Sequence, residues 1–355
     1  MDQLRQNAAG SATLREIQGQ PQAWRRSLEI LRNGALIQSL SANPPWRAEW
    51  VFFGCGTSFY LAQSAAVSFS MQTGAVTRAL PASELLFYPD AVLDAGEKPA
   101  FPVLISRSGM TSEILRAARM LRERNIPFLG VTCDGGELET LSPFTLRLDV
   151  PEDSTVMTAS FTSMLVALQF VGASFHAGSN LAVFDELPGA AANVLKQETA
   201  KIQALADRPF ANYVFLGQGP LFGIAQECAL KVTESSCSYT QSYHTLEFRH
   251  GPKSIVGPEV LITFLLSDAA YDEEVELLRE MKELGATTMV VANTLAKELR
   301  QFADYAVELN TTVPEALRSP LYTIPAQLLA CYTGLRKGFN PDAPRNLTRV
   351  VLLEN

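Results

Sequence analysis

One pattern of strands, glycines and helices occurs twice in this chain at a nearly constant offset, and that repeat restricts the fold more than any other feature. Gly54 and Gly56, which follow the apolar run Trp50-Val51-Phe52-Phe53, recur as Gly217 and Gly219 after Asn212-Tyr213-Val214-Phe215-Leu216, an offset of 163. The strand that ends at Ser106 corresponds to one that ends at Ser267, an offset of 161, and Val150-Pro151-Glu152 corresponds to Val313-Pro314-Glu315, again 163. Within each copy short apolar runs alternate with amphipathic stretches. The runs of the first are 50–53, Pro102–Ile105, Pro127–Val131 and Thr145–Val150; helices follow to about Met71 and Arg124, and a long apolar helix covers Ala159–His176. Strands separated by helices are the signature of a parallel α/β sheet. The expected fold is therefore two tandem, doubly wound, flavodoxin-like parallel sheets.

The expected organisation is an N-terminal segment over 1–22, a first domain over 23–185, a joining helix and second domain over 186–339, and a tail over 340–355. Residues 1 to 20 are polar and are expected to lie over the surface. A helix is expected over Pro21–Leu40, with Pro44-Pro45 ending it. At 355 residues two cores are more economical than one, and a hydrophobic fraction of 47% supplies them.

The net charge of −8 argues against nucleic acid as a partner, because neutralising phosphates needs a basic surface. No apolar run is long enough to span a bilayer, the N-terminus lacks a signal pattern, and the five cysteines form no C-x-x-C pair. These features lead to the expectation of a cytoplasmic protein with reduced thiols, without a membrane, cofactor or metal.

Ligands of an open parallel sheet bind outside the carboxyl ends of its strands. The loop Ser106-Arg107-Ser108-Gly109-Met110-Thr111 lies there in the first copy, just before a helix, and Thr57-Ser58 lies at the next strand end beside Gly56. Ser106, Ser108, Thr111, Thr57 and Ser58 offer hydroxyls, and a helix N-terminus favours an anion. The pair of loops reads as a cradle for a phosphate that is held rather than transferred. Arg107 suits either that phosphate or an acidic neighbour. The second copy has only Ser267-Asp268-Ala269-Ala270 at the matching place, but carries Lys231 and Glu234 on one face of the helix over Pro220–Ser235. Taken alone, these two are an ordinary helix ion pair, and His250 a structural histidine.

Gly-Cys-Gly-Thr-Ser after the first strand, Ser-x-Ser-Gly-x-Thr after the second, Ala-Leu-Lys-x-x-Glu on the later helix and His-Gly-Pro beyond it together resemble the sugar isomerase (SIS) family. The likeness is strongest to the isomerase half of glucosamine-6-phosphate synthase and to galactosamine-6-phosphate deaminase/isomerases. It runs from Glu16-Ile17 and Gln20-Pro21 to Pro344-Arg345-Asn346-Leu347. The resemblance implies that Thr57, Ser58, Ser106, Ser108 and Thr111 hold a sugar 6-phosphate and that Glu234 moves a proton between C1 and C2. It further implies that Lys231 sits by the sugar, and that His250 helps open the ring in the site of the other subunit of a homodimer.

Departures accompany the likeness. No glutaminase activity is expected of this chain, because the likeness is to the isomerase half alone, and Arg349 stands where the synthase has its imine-forming lysine. Arginine stays protonated and is a poor imine former, although Arg349 could bind a hydroxyl or phosphate. Arg107, Met157–Thr162 and Phe248–Ser254 side with the deaminase/isomerase branch. The expected activity is isomerisation of a hexosamine 6-phosphate with loss of ammonia, giving a ketose 6-phosphate. A fructosamine-6-phosphate deglycase and a non-catalytic sugar-phosphate sensor are the alternatives.

Overall fold

The computed structural model describes residues 8–42, 48–94, 98–176 and 178–352. Helices α1 (Ser11–Asn33) and α2 (Leu36–Ala42) precede β1 (Glu49–Gly54), α3 (Thr57–Thr73), β2 (Thr77–Pro81), α4 (Ala82–Phe87), α5 (Pro89–Leu93) and β3 (Ala100–Ile105). Then come α6 (Ser112–Glu123), β4 (Leu129–Thr132), α7 (Gly136–Leu141), β5 (Phe144–Arg147), α8 (Ala159–Ser174) and α9 (Leu187–Ala206). The second copy comprises β6 (Asn212–Gly217), α10 (Pro220–Ser236), β7 (Tyr239–His244), β8 (Val260–Leu265), α11 (Tyr271–Glu283), β9 (Thr287–Ala292), β10 (Tyr305–Glu308) and α12 (Glu315–Arg336).

Both sheets are five-stranded, all parallel, and wound in the same order: β2-β1-β3-β4-β5 and β7-β6-β8-β9-β10. This is the flavodoxin-like order expected from the repeat. The copies agree down to backbone angles, with Gly56 at φ 53°, ψ −126° and Gly219 at φ 55°, ψ −126°. By contacts the chain divides into two compact units. One, which we call the first-sheet unit, is Gln22–Glu152, Ala159–Asp185 and Thr348–Asn355; the second-sheet unit is Met1–Pro21, Asp153–Thr158 and Glu186–Leu347.

Each unit has its own core. In the first, Val51, Phe53 and Leu104 of the central strands pack with Ile114, Ala118 and Leu121 of α6. In the second, Val214, Ile262 and Val290 pack with Val275, Leu278 and Met281 of α11, and Phe248 joins them. Central strands buried on both faces give the continuous apolar runs that reveal them in the sequence.

Two strands escape that signal. β2 is half-buried throughout and β7, Tyr-Thr-Gln-Ser-Tyr-His, is exposed at both ends. Both are edge strands, held through one neighbour by main-chain bonds that any side chain permits.

The N-terminal segment corrects the expectation of a polar surface run. Thr13, Glu16, Ile17 and Gln20 are buried, and α1 passes straight through Pro21. Asp342 explains where α1 starts: its carboxylate accepts the Thr13 N–H at 2.8 Å, the Thr13 hydroxyl at 2.7 Å and the Ala12 N–H at 3.2 Å. Gln20 explains how Pro21 is tolerated. A proline cannot donate to the carbonyl four residues back; here the Gln20 side-chain amide donates to that carbonyl, Ile17, at 2.9 Å. The Pro44-Pro45 stop lies outside the described residues.

Candidate active site

β3 delivers its chain end into the loop Ser106–Thr111, and α6 begins at Ser112. The Ser106 and Thr111 hydroxyls lie 2.9 Å apart; Ser106 Oγ also accepts the Gly109 N–H at 3.2 Å, and Ser108 Oγ the Met110 N–H at 3.1 Å. Thr111 occupies the N-cap position with extended backbone, yet its side chain makes no capping bond. Ordinary capping therefore does not account for that hydroxyl. Gly109 has φ 63°, and a Cβ there would stand 1.9 Å from the Gly135 carbonyl oxygen. Only glycine lets the loop curl this tightly against the segment after β4.

At the neighbouring strand end, the turn after β1 starts α3, with Thr57 and Ser58 buried in its first turn. Two helix N-termini and the hydroxyls of 57, 58, 106, 108 and 111 thus belong to adjacent strand ends of one sheet. Cys55, in the same turn, is not a nucleophile. Burial and the facing Glu113 carboxylate, 3.4 Å from its sulfur, push the thiol up to about 12.

Arg107 is committed to a carboxylate. Its guanidinium bonds Glu152 at 3.0 Å, with both side chains buried, and the Arg349 carbonyl at 3.3 Å. Glu152 further accepts the hydroxyl of Ser160 and its N–H, the latter at 3.2 Å, in the first turn of α8. Of the two readings the sequence leaves open for Arg107, the structure realises the acidic neighbour. Arg349, expected to bind a hydroxyl or phosphate, also makes bonds within the protein. Its guanidinium donates to the Glu152 carbonyl and pairs with Asp134 at 3.2 Å, both within the first-sheet unit.

In the second-sheet unit, α10 carries Lys231 and Glu234, and the structure joins them at 2.5 Å through Glu234 Oε2. Lys231 is fully buried and also faces Glu227, fully buried, at 3.3 Å. Burial opposes the lysine's charge, but the two carboxylates outweigh it and raise the ammonium above its ordinary value. The result is a three-charge row along one helix face, with Glu234 its solvent-facing member at 18% side-chain exposure. Glu227 belongs to no motif in the sequence, though its place four residues before Lys231 is the spacing of a helix ion pair. His250 is an exposed residue beyond β7, and its backbone N–H bonds the Glu247 carbonyl at 3.0 Å.

The SIS domain family matches residues 47–177 and 211–335, one match per sheet. The chain belongs to the SIS domain family. A D-galactosamine-6-phosphate deaminase of Shewanella is 27% identical to it, over 94% of this chain and 87% of that protein. A glutamine–fructose-6-phosphate aminotransferase of Pyrobaculum aerophilum is 28% identical over 96% of this chain but 57% of its own length. The chain spans 51% to 58% of several such aminotransferases. Among solved structures, a glucosamine-6-phosphate deaminase of Thermotoga maritima superposes with a TM-score of 0.81 at 30% identity, covering 96% of this chain and all of that one.

Within the SIS framework, Glu16 and Gln20 gain a role that the sequence did not reveal. Glu16 Oε1 accepts the N–H groups of Asp153 and Ser154 at 2.6 and 3.0 Å, and its other oxygen the Ser154 hydroxyl. Gln20 bonds Gln327 at 2.9 Å, and Gln327 donates to the Thr158 carbonyl at 3.2 Å. The segment between β5 and α8 is thus held at both ends. Among the described residues, no three His, Cys, Asp or Glu side chains are placed to hold a metal ion, and no helix is long and apolar enough to cross a membrane.

Proposed function

We propose that this SIS protein isomerises a hexosamine 6-phosphate with release of ammonia, giving a ketose 6-phosphate. The observation that carries the proposal is Glu234, a carboxylate gripped through one oxygen by a buried ammonium that a second buried carboxylate backs. Such a group has a fixed position and an oxygen, Oε1, left for a substrate proton. The hydroxyl loop and its Gly109 turn support a phosphate anchor, which orients the sugar at a distance from the reacting carbons. The deaminases and aminotransferases among its relatives lend weight to an amino-sugar phosphate as substrate.

The steps follow from the residue types. His250, which we assign to the site of a second copy in a homodimer, exchanges the proton needed to open the ring. Glu234 then takes the proton from C2 of the open aldehyde, leaving an enolamine, and returns it to C1. The C2 imine that results is hydrolysed by water, which expels ammonia and leaves the ketose. Lys231 keeps the Glu234 carboxylate in place. Arg349, a poor imine former and occupied with Asp134, forms no covalent bond to the sugar.

The test is ammonia release from glucosamine, galactosamine and fructosamine 6-phosphates in heavy water, with the product identified as a ketose phosphate (from the first two) or an aldose phosphate (from the third). The proposal expects ammonia with solvent deuterium at C1 of the ketose from one of the first two. Turnover of fructosamine 6-phosphate alone would replace it with a deglycase. Phosphosugar binding without turnover of any of the three would replace it with a sensor.

A further inference from the structure

The second sheet has its own strand-end serine, and its surroundings show how that edge is used. Ser267 lies two residues past β8, one farther than Ser106 lies past β3, and the two serines share one bond pattern: Ser106 Oγ accepts the N–H three residues on, Gly109, at 3.2 Å, and Ser267 Oγ that of Ala270 at 3.1 Å. The partners then diverge. The Ser267 N–H and hydroxyl both go to Glu274 Oε2, at 2.7 and 3.0 Å, and Glu274 is fully buried. A carboxylate of the chain itself therefore takes up the donors of this serine.

The second oxygen of that carboxylate reaches elsewhere. Glu274 Oε1 accepts the Thr245 hydroxyl at 2.7 Å, and Thr245 is the residue at which the chain leaves β7 toward His250. Three residues on, Phe248 is fully buried in the core beside Val275 and Leu278 of the same helix, α11. Farther along α11, Glu280 bonds Arg249 at 3.2 Å and Lys253 at 2.6 Å. One helix therefore grips the segment before, beside and after His250, which stays exposed. Gly251, at φ 119°, turns the chain immediately after it.

We propose that Glu274 and Glu280 are positioning residues that hold the 245–253 segment on α11 and so set where His250 is presented. The link to turnover rests on the role of His250 proposed above; the link to the segment's order does not. The Glu274 carboxylate is the inner clamp, since it ties the segment to a strand end that the sheet itself fixes. Glu280 is the outer clamp.

The test compares Glu274→Ala, Glu274→Gln and Glu280→Ala with the wild type by amide hydrogen exchange and steady-state kinetics. Glutamine at 274 accepts from the Ser267 N–H through its oxygen and donates to Thr245, so it preserves the tie. Alanine at 274 is expected to speed exchange across 245–250 at least tenfold while β6, β8 and β9 stay protected. It should lower kcat about tenfold with KM changed less than twofold, and Glu274→Gln should restore both. Glu280→Ala, near the surface, should speed exchange at 249–253 alone. Unchanged exchange in both alanine variants overturns the clamp, and so does exchange raised equally throughout the second-sheet unit. If Glu274→Ala does not fold, Glu280→Ala decides by the same local signature. Faster exchange with unchanged kcat overturns the link to His250. Should no amino-sugar phosphate turn over even with the wild type, the proposed activity fails while the exchange arm still decides the clamp.

Discussion

Replacing Glu234 by glutamine separates its chemical role from its structural one. The wild-type bond runs from Lys231 Nζ to Glu234 Oε2 at 2.5 Å, and the lysine keeps Glu227 at 3.3 Å whatever happens at 234. Glutamine has the same length and can still accept from Lys231, so the fold loses the charge of one hydrogen bond rather than the bond itself. That difference is about 1–2 kcal/mol, a melting shift of only a few degrees in a protein of this size. The catalytic loss is of another order. A positioned general base contributes about 10²–10⁴-fold, which corresponds to roughly 3–5 kcal/mol of barrier. KM should change by less than a factor of about two, because the phosphate anchor is untouched.

The assay is deuterium incorporation and ammonia release, with calorimetry as the check on folding. Glu227→Gln serves as the control: it removes charge from the same lysine without removing the base, and should cost more stability than activity. A Glu234→Gln enzyme retaining over a tenth of wild-type kcat refutes the assignment. Equal loss of activity in both variants also refutes it, since the electrostatics around Lys231 would then be what matters.

Further expectations concern the other groups. Ser108→Ala combined with Thr111→Ala should raise KM at least about tenfold, as expected on losing hydrogen bonds to a charged group; an unchanged KM removes the cradle. Mixing Glu234→Gln with His250→Asn protein should regain activity through heterodimers, measured against each variant alone; no recovery means that His250 does not serve a second copy. The last expectation concerns pH. Burial raises the Glu274 carboxyl from 4.5 to about 7, against the pull of its hydrogen bonds. A raised folded value means that the native state holds the proton longer, so this contribution is complete below about pH 4.5 and is lost as pH rises through 7. Over that window it amounts to about 3 kcal/mol. Glu274→Gln, which has nothing to ionise, should therefore flatten the fall in stability between about pH 4.5 and 7, as denaturant titrations at each pH would show; an unflattened curve rules out Glu274 as its source.

What could be read from the sequence was what burial writes into it. β1, β3, β6 and β8 are covered on both faces, so their apolar runs are unbroken and their glycine turns stand out at matching intervals. β2 and β7 lie at sheet edges, where main-chain pairing suffices and no residue pattern is imposed. The candidate site divides similarly. Lys231 and Glu234 are legible from helical spacing, and the hydroxyl loop from its composition. Glu227 was legible by the same spacing but lacked a motif to draw the eye. The commitments of Arg107 to Glu152 and of Arg349 to Asp134 depend on which carboxylate the fold brings near, across 45 and 215 residues of chain respectively, and local pattern carries no such information.

The duplication also shows how two copies of one fold come to differ in chemistry without differing in topology. At each strand-end loop the residue after the serine is coupled to the start of the closing helix, but with the charges exchanged. In the first-sheet unit Arg107 pairs with Glu152. In the second, Asp268 follows the serine, pairs with the buried Arg318 of α12, and gives its N–H to Glu315, the sequence counterpart of Glu152, at 2.7 Å. With Glu274 on the neighbouring serine, the second edge carries three carboxylates against one guanidinium. An anion there would meet like charges and a turn whose serine donors are already taken. The first edge keeps its hydroxyls, its glycine turn and an arginine neutralised by a carboxylate behind it. Divergence of two loops has thus left one edge suited to an anion and turned the other into a clamp on its own chain, while α10 of that second copy supplies the carboxylate row.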